Sequence, residues 1–105
     1  MSLPRILVQV CDASDHSRNF GAALSAIIDT GASTNLITER HATKHWRVKD
    51  TDDEFKGISG KLVPSAGQVT LIIRPLDPLT KQPVGESQPL EFCLSRTLGD
   101  DALLG

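Results

Sequence analysis

Residues 26–37 read Ala26-Ile27-Ile28-Asp29-Thr30-Gly31-Ala32-Ser33-Thr34-Asn35-Leu36-Ile37, and they set one carboxylate between an apolar run and a glycine turn. Ala26-Ile27-Ile28 has the character of a buried strand end. An ionised side chain placed directly after it costs free energy unless it is hydrogen-bonded or paired. A local reading satisfies that requirement: Asp29 accepts from the N–H groups of the following loop, as Asx turns do. Three letters, Asp-Thr-Gly, do not by themselves separate this from a chemical role, so the rest of the chain has to decide.

Working outward, Ile6 to Cys11 alternates Ile6, Val8 and Val10 against Leu7, Gln9 and Cys11, which is the period of a strand. The polar run Asp12 to Asn19 reads as a hairpin loop, and a second strand returns through Ala22 to Ile28 with Leu24, Ala26 and Ile28 on one side. Asn35 to Thr38 is a short strand. Thr38 is placed to cap a short helix from Glu39 to about Trp46, with Ala42 and Trp46 facing inward. Phe55 to Val63, with Gly57 and Gly60 flanking Ile58-Ser59, suggests a hairpin tip after the charged turn Arg47 to Glu54. Gln68 to Ile73 and Leu90 to Leu94 read as further strands, separated by a long loop from Arg74 to about Gln88 that Pro75, Pro78, Pro83, Gly85 and Pro89 punctuate. The expected class is mainly β with little helix.

The 105 residues fit one domain, and a domain this small buries only about two-thirds of its unfolded surface. With 39% hydrophobic and 23% charged residues, the chain has the composition of an ordinary globular protein and not of a disordered one. Its formal charge of −2, with both signs interspersed, offers no basic stripe for phosphate contacts, so nucleic acid is not the expected partner. Apolar runs such as Val69 to Ile73 are too short to span a bilayer, and Met1-Ser2-Leu3-Pro4-Arg5 does not open a signal peptide, so no membrane partner is expected. The two cysteines, Cys11 and Cys93, then read as reduced core residues of an intracellular, cytoplasmic protein.

Asp29-Thr30-Gly31-Ala32-Ser33, following an apolar strand and preceding Asn35-Leu36-Ile37, resembles the active-site loop of the aspartic proteases, and of the retroviral type in particular. Gly57-Ile58-Ser59-Gly60 resembles the glycine-rich flap tip of those enzymes, and Leu103-Leu104-Gly105 their second hydrophobic-hydrophobic-glycine element, in the family's order. The resemblance is nearest to the protease domain of BEL/Pao-type retrotransposons. It rests on Leu3-Pro4, Ile6 to Val10, the polar hairpin before Ala26, Leu36-Ile37-Thr38-Glu39 and the ending Asp101-Ala102-Leu103-Leu104-Gly105. It implies a small closed retropepsin-like β-barrel with a flap hairpin.

A retroviral-type chain carries one catalytic aspartate, so the resemblance implies a homodimer acting on a peptide or polyprotein substrate, without cofactor or metal. Two carboxylates in contact cannot both ionise comfortably, so the pair shares a proton; one Asp29 acts as base toward water while its partner polarises the scissile carbonyl. The implied catalytic set is Asp29, Thr30 and Gly31, with Thr30 tying the two loops together. The implied substrate-binding set is Ala32, Ser33, Gly57, Ile58, Ser59, Gly60 and Leu103. Ala32 leaves no hydroxyl beside the carboxylate, which implies a mildly acidic optimum, and Ser33 stands where many relatives carry a second aspartate.

One departure matters. Retroviral enzymes continue past the Leu-Leu-Gly element into a helix and a terminal strand that helps build the dimer, so the expectation is one domain, residues 1–105, cut short at its C-terminus. That leaves an alternative: a domesticated, catalytically silent domain serving as a dimerisation or peptide-binding module. Smaller signals have plainer readings. His41 and His45 are four apart, which is ligand spacing, but no third ligand is evident and they read as surface histidines. Asp50, Asp52, Asp53 and Glu54 lack the glycine turn and closing glutamate of a calcium loop and read as a solvated turn.

Overall fold

The computed structural model describes residues 3–32, 34–44, 46–50, 54–56 and 62–105. Among these residues eight strands are formed: β1 (Arg5–Asp12), β2 (Leu24–Ile28), β3 (Asn35–Thr38), β4 (Glu54–Lys56), β5 (Leu62–Pro64), β6 (Gln68–Leu76), β7 (Gln88–Ser95) and β8 (Ala102–Leu104). Six of them close into a mixed barrel in the order β1-β2-β8-β3-β7-β6, and β4 and β5 pair by themselves as a separate two-stranded hairpin. Among the described residues helix is limited to a single 3-10 turn at Glu39–His41.

The alternation in the sequence sets the register. Ile6 stands opposite Ala26 and Val8 opposite Leu24 where β1 runs antiparallel to β2, so every apolar residue of that face points to the same side. β6 is the long central strand, antiparallel to β1 with Val10 opposite Ile73 and to β7 with Val69 opposite Phe92. The interior cluster is built from Val8, Val10, Leu24, Ala26, Ile37, Val69, Leu71, Ile73, Phe92, Leu94 and Ala102. A second, smaller cluster of Leu36, Cys93 and Leu103, with Ala32 and Leu98 against it, lies on the opposite face of β3, β7 and β8. Both cysteines are buried and free.

Several expected boundaries move. β2 begins at Leu24 and not at Ala22. β6 runs through Arg74 and Pro75 to Leu76, so the connecting loop starts three residues later than the prolines suggest. Pro75 is tolerated because β6 has by then passed the end of its pairing with β7, and its carbonyl accepts the Val84 N–H at 2.9 Å. The helix expected over Glu39 to Trp46 is three residues long. Thr38 does not cap it: its hydroxyl donates to the Asp100 carbonyl, and Ala42 turns extended. Ala42 and Trp46 still pack against the core, as loop residues. The hairpin expected around Phe55 to Val63 is present in β4 and β5, while its tip, Gly57 to Gly60, lies outside the described residues.

Gly67, between β5 and β6, has a φ of 145°, and a Cβ there would sit 2.6 Å from Val48 Cγ1 and 3.3 Å from the Lys49 carbonyl. The close approach allows Lys49 and Gln68 to exchange two backbone hydrogen bonds, each 2.8 Å. The interior ring of Phe92, 1% exposed, makes Phe92→Ala a cavity-forming change expected to cost about 3–5 kcal/mol. Leu79→Ala, at a side chain 91% exposed in the long loop, should stay within about 0.5 kcal/mol. Urea denaturation midpoints measure both, and equal losses would contradict this placement of the core.

Candidate active site

Asp29 follows β2 directly, and its position is fixed by the backbone on both sides. Its N–H donates to the Leu104 carbonyl at 2.9 Å, which prolongs the parallel pairing of Ile28 with Leu104, and its carbonyl accepts from the Ala32 N–H at 3.0 Å. One carboxylate oxygen, Oδ1, accepts from the Gly31 N–H at 3.0 Å. The Asx-turn reading is therefore correct as local structure. It accounts for one acceptor position, and among the described residues no other hydrogen bond is made to this carboxylate. Asp29 is half-buried, Thr30 and Gly31 are exposed, and among the described residues the Thr30 hydroxyl makes no hydrogen bond.

The end of the chain holds the loop from the far side. Gly105 N–H donates to Asn35 Oδ1 at 3.0 Å, and a Cβ at Gly105 would come within 2.7 Å of the Ala32 carbonyl and 3.2 Å of the Thr34 nitrogen. Only a residue without a side chain passes this close. Asn35 also donates through Nδ2 to the Glu91 carbonyl at 3.1 Å, so one amide links the loop to β7 and to the segment after β8.

Of the residues expected to bind substrate, Ala32 and Leu103 are brought together: both belong to the outer apolar cluster, beside the Asp29 loop. Ser33, Gly57, Ile58, Ser59 and Gly60 lie outside the described residues. Sequence reasoning missed the other members of that cluster, Leu36, Cys93 and Leu98. A signal existed: Leu36-Ile37, Phe92-Cys93-Leu94 and Leu103-Leu104 are apolar on both faces of their strands, which asks for cover outside the barrel as well as within it.

Residues 4–102 match the model of the retroviral aspartyl protease family. The chain belongs to that family. No curated protein matches it. Family membership makes Asp29 the residue of interest, although a cleft of about 490 Å³ lies elsewhere, between the β1–β2 loop and His41, Thr43 and Trp46. That cleft presents Asp12 and Asp15, whose carboxylates already accept hydrogen bonds from Ser14, Ser17 and Asn19. Among the described residues the Asp29 carboxylate has one hydrogen-bond donor, fewer than Asp12 or Asp15.

Asp101, just before β8, steadies the site from behind. Oδ2 accepts the Ser25 N–H at 3.0 Å, and Oδ1 meets Arg40 Nη2 at 3.0 Å and His41 Nε2 at 2.9 Å. His41 is thus a half-buried partner of Asp101 and not the surface histidine expected from the spacing. The Ser25 amide, outweighing burial, and then Arg40 and His41 hold the Asp101 carboxyl below its ordinary 3.8. A depressed folded-state value means stability that is fully present above 3.8 and drains as pH falls through the lower folded value. Asp101→Asn is expected to lower stability at neutral pH by about 1–3 kcal/mol and to flatten the acid limb of the stability curve. Denaturant melts at neutral pH and under strong acid measure this, and an unchanged acid limb would argue against it.

Proposed function

We propose that this chain is one half of a homodimeric aspartic endopeptidase that hydrolyses extended peptide segments, originally those of a retroelement polyprotein of the BEL/Pao type. The observation that carries the reading is the Asp29 carboxylate. In a chain of this family it sits at the end of β2, met by a single donor among the described residues.

Two copies meeting at this loop would bring two carboxylates together, and the exposed Thr30 hydroxyl has no competing hydrogen bond among the described residues of its own chain. The pair would share one proton. The ionised Asp29 takes a proton from a bound water as the water oxygen attacks the peptide carbonyl carbon, while the protonated Asp29 donates to the carbonyl oxygen. Collapse of the resulting gem-diol, with proton transfer to the amide nitrogen, breaks the C–N bond and releases acid and amine. No bond to the enzyme forms. Ala32, half-buried against Leu36 and Leu103, is the edge of the apolar cluster that would meet a substrate side chain next to the scissile bond. The hairpin β4–β5 supplies the flap that covers it.

The protein and its Asp29→Asn variant, incubated with a diverse peptide pool at mildly acidic pH, give the test. Cleavage by the parent and at least about a hundredfold less by the variant is expected, since the reaction needs the carboxylate itself. Sedimentation under the same conditions reads the dimer. A folded dimer that cuts nothing would favour the silent-module reading, and cleavage retained by Asp29→Asn would remove Asp29 from the chemistry.

A further inference from the structure

The barrel order places β3 between β8 and β7, and Asn35 opens β3. Its carboxamide reaches both neighbours. Nδ2 donates to the Glu91 carbonyl of β7 at 3.1 Å, and Oδ1 accepts the Gly105 N–H, just past β8, at 3.0 Å. The first bond settles which way the amide faces, since the end that donates to a carbonyl leaves the oxygen for the N–H. Few side chains can do both. A carboxylate has no proton to donate, and a hydroxyl would have to serve two partners on different strands from one atom.

Gly105 depends on that bond because the ladders stop short of it. β8 pairs with β2 as far as Ile28 opposite Leu104, and with β3 only from Leu103 opposite Leu36. Among the described residues the Gly105 N–H has no other acceptor. Gly105 in turn is the backbone against which the far limb of the Asp29 loop rests: a Cβ there would fall 2.7 Å from the Ala32 carbonyl and 3.2 Å from the Thr34 nitrogen. That limb has few directional restraints of its own. The Ala32 N–H is bonded to the Asp29 carbonyl, but among the described residues neither the Ala32 carbonyl nor the Thr34 N–H makes a hydrogen bond. Ala32 also packs on Leu36 and Leu103, and apolar contact of that kind has no direction.

We propose that Asn35 is a positioning residue whose carboxamide seats Gly105 against Ala32 and thereby sets the limb of the Asp29 loop that meets substrate. The part concerning substrate rests on the protease reading; the seating does not.

Amide hydrogen exchange on the folded protein separates the two. In Asn35→Ala the amides of Gly105 and Ala32 should exchange about tenfold faster, while Asp29, whose N–H is bonded to Leu104, and strands β1 and β6 keep their protection. Asn35→Asp, of nearly the same shape, keeps the acceptor for Gly105 and loses the donor to Glu91; it serves if the alanine variant does not fold, and an intermediate acceleration is expected. With a cleaved peptide in hand, Asn35→Ala should raise KM about fivefold to tenfold with a smaller change in kcat. Gly105→Ala, whose added methyl drives that residue away from Ala32, should do the same. If Asn35 acts through Gly105, the double variant is little worse than either single one, whereas independent effects multiply. Multiplied effects on KM, or Gly105 and Ala32 amides that exchange as in the parent, overturn the proposal. A parent that cuts no peptide, with those two amides selectively loosened in Asn35→Ala, leaves the seating standing and removes only its enzymatic purpose.

Discussion

The fold depends on the insertion of one three-residue strand, β8, between β2 and β3. Ala102 pairs in parallel with Ala26 and antiparallel with Ile37, and the barrel has no other way to join those two neighbours. Everything around Asp29 follows from that insertion. The Asp29 N–H reaches a β8 carbonyl, Gly105 passes against Ala32, Thr38 donates its N–H to the Asp101 carbonyl, and the Asp101 carboxylate takes the Ser25 amide. The loop that carries the carboxylate is thus held by residues about seventy positions away in sequence, which makes it a product of the completed barrel. Pairings this distant close late and slowly in folding, so the site would form only when the whole barrel does.

Much of this was legible where one face of a strand is buried and the other is not. β1, β6 and β7 announce themselves by alternation and β-branched residues, and the Asp-Thr-Gly loop by its place after an apolar strand. The misreadings have a common cause. Thr38 followed by Glu39 is a good local helix start, but its hydroxyl is claimed by the Asp100 carbonyl, a partner 62 residues away. Pro75 looks like the end of a strand, yet β6 needs no N–H at that point of its ladder. β8 is too short to show a period, and it could be noticed only as a motif. Asp12 read as part of a polar loop and His41 as a surface histidine because each has a partner far off in sequence. Local rules read local structure; where a side chain's partner is distant, the one-dimensional pattern carries no trace of it.

The carboxylates differ in how they are held. Asp12 is met by two donors of Ser14 and the Arg47 amide, Asp101 by Ser25, Arg40 and His41, and Asp77 by the amides of Leu79 and Thr80. Asp12 and Asp101 each tie together pieces of chain distant in sequence, while Asp77 closes a local turn. A group bound in this way is a poor base, since every donor that stabilises its charge must be given up before it can accept a proton. Asp29 differs in kind. It is fixed through its backbone, by Leu104 and Ala32, and among the described residues its side chain has a single amide donor. Rigid placement combined with free acceptor positions is what acid–base work asks of a carboxylate, because the position must be held without occupying the atoms that react. In the proposed enzyme the barrel would meet that demand by putting the restraints of the loop into main-chain bonds.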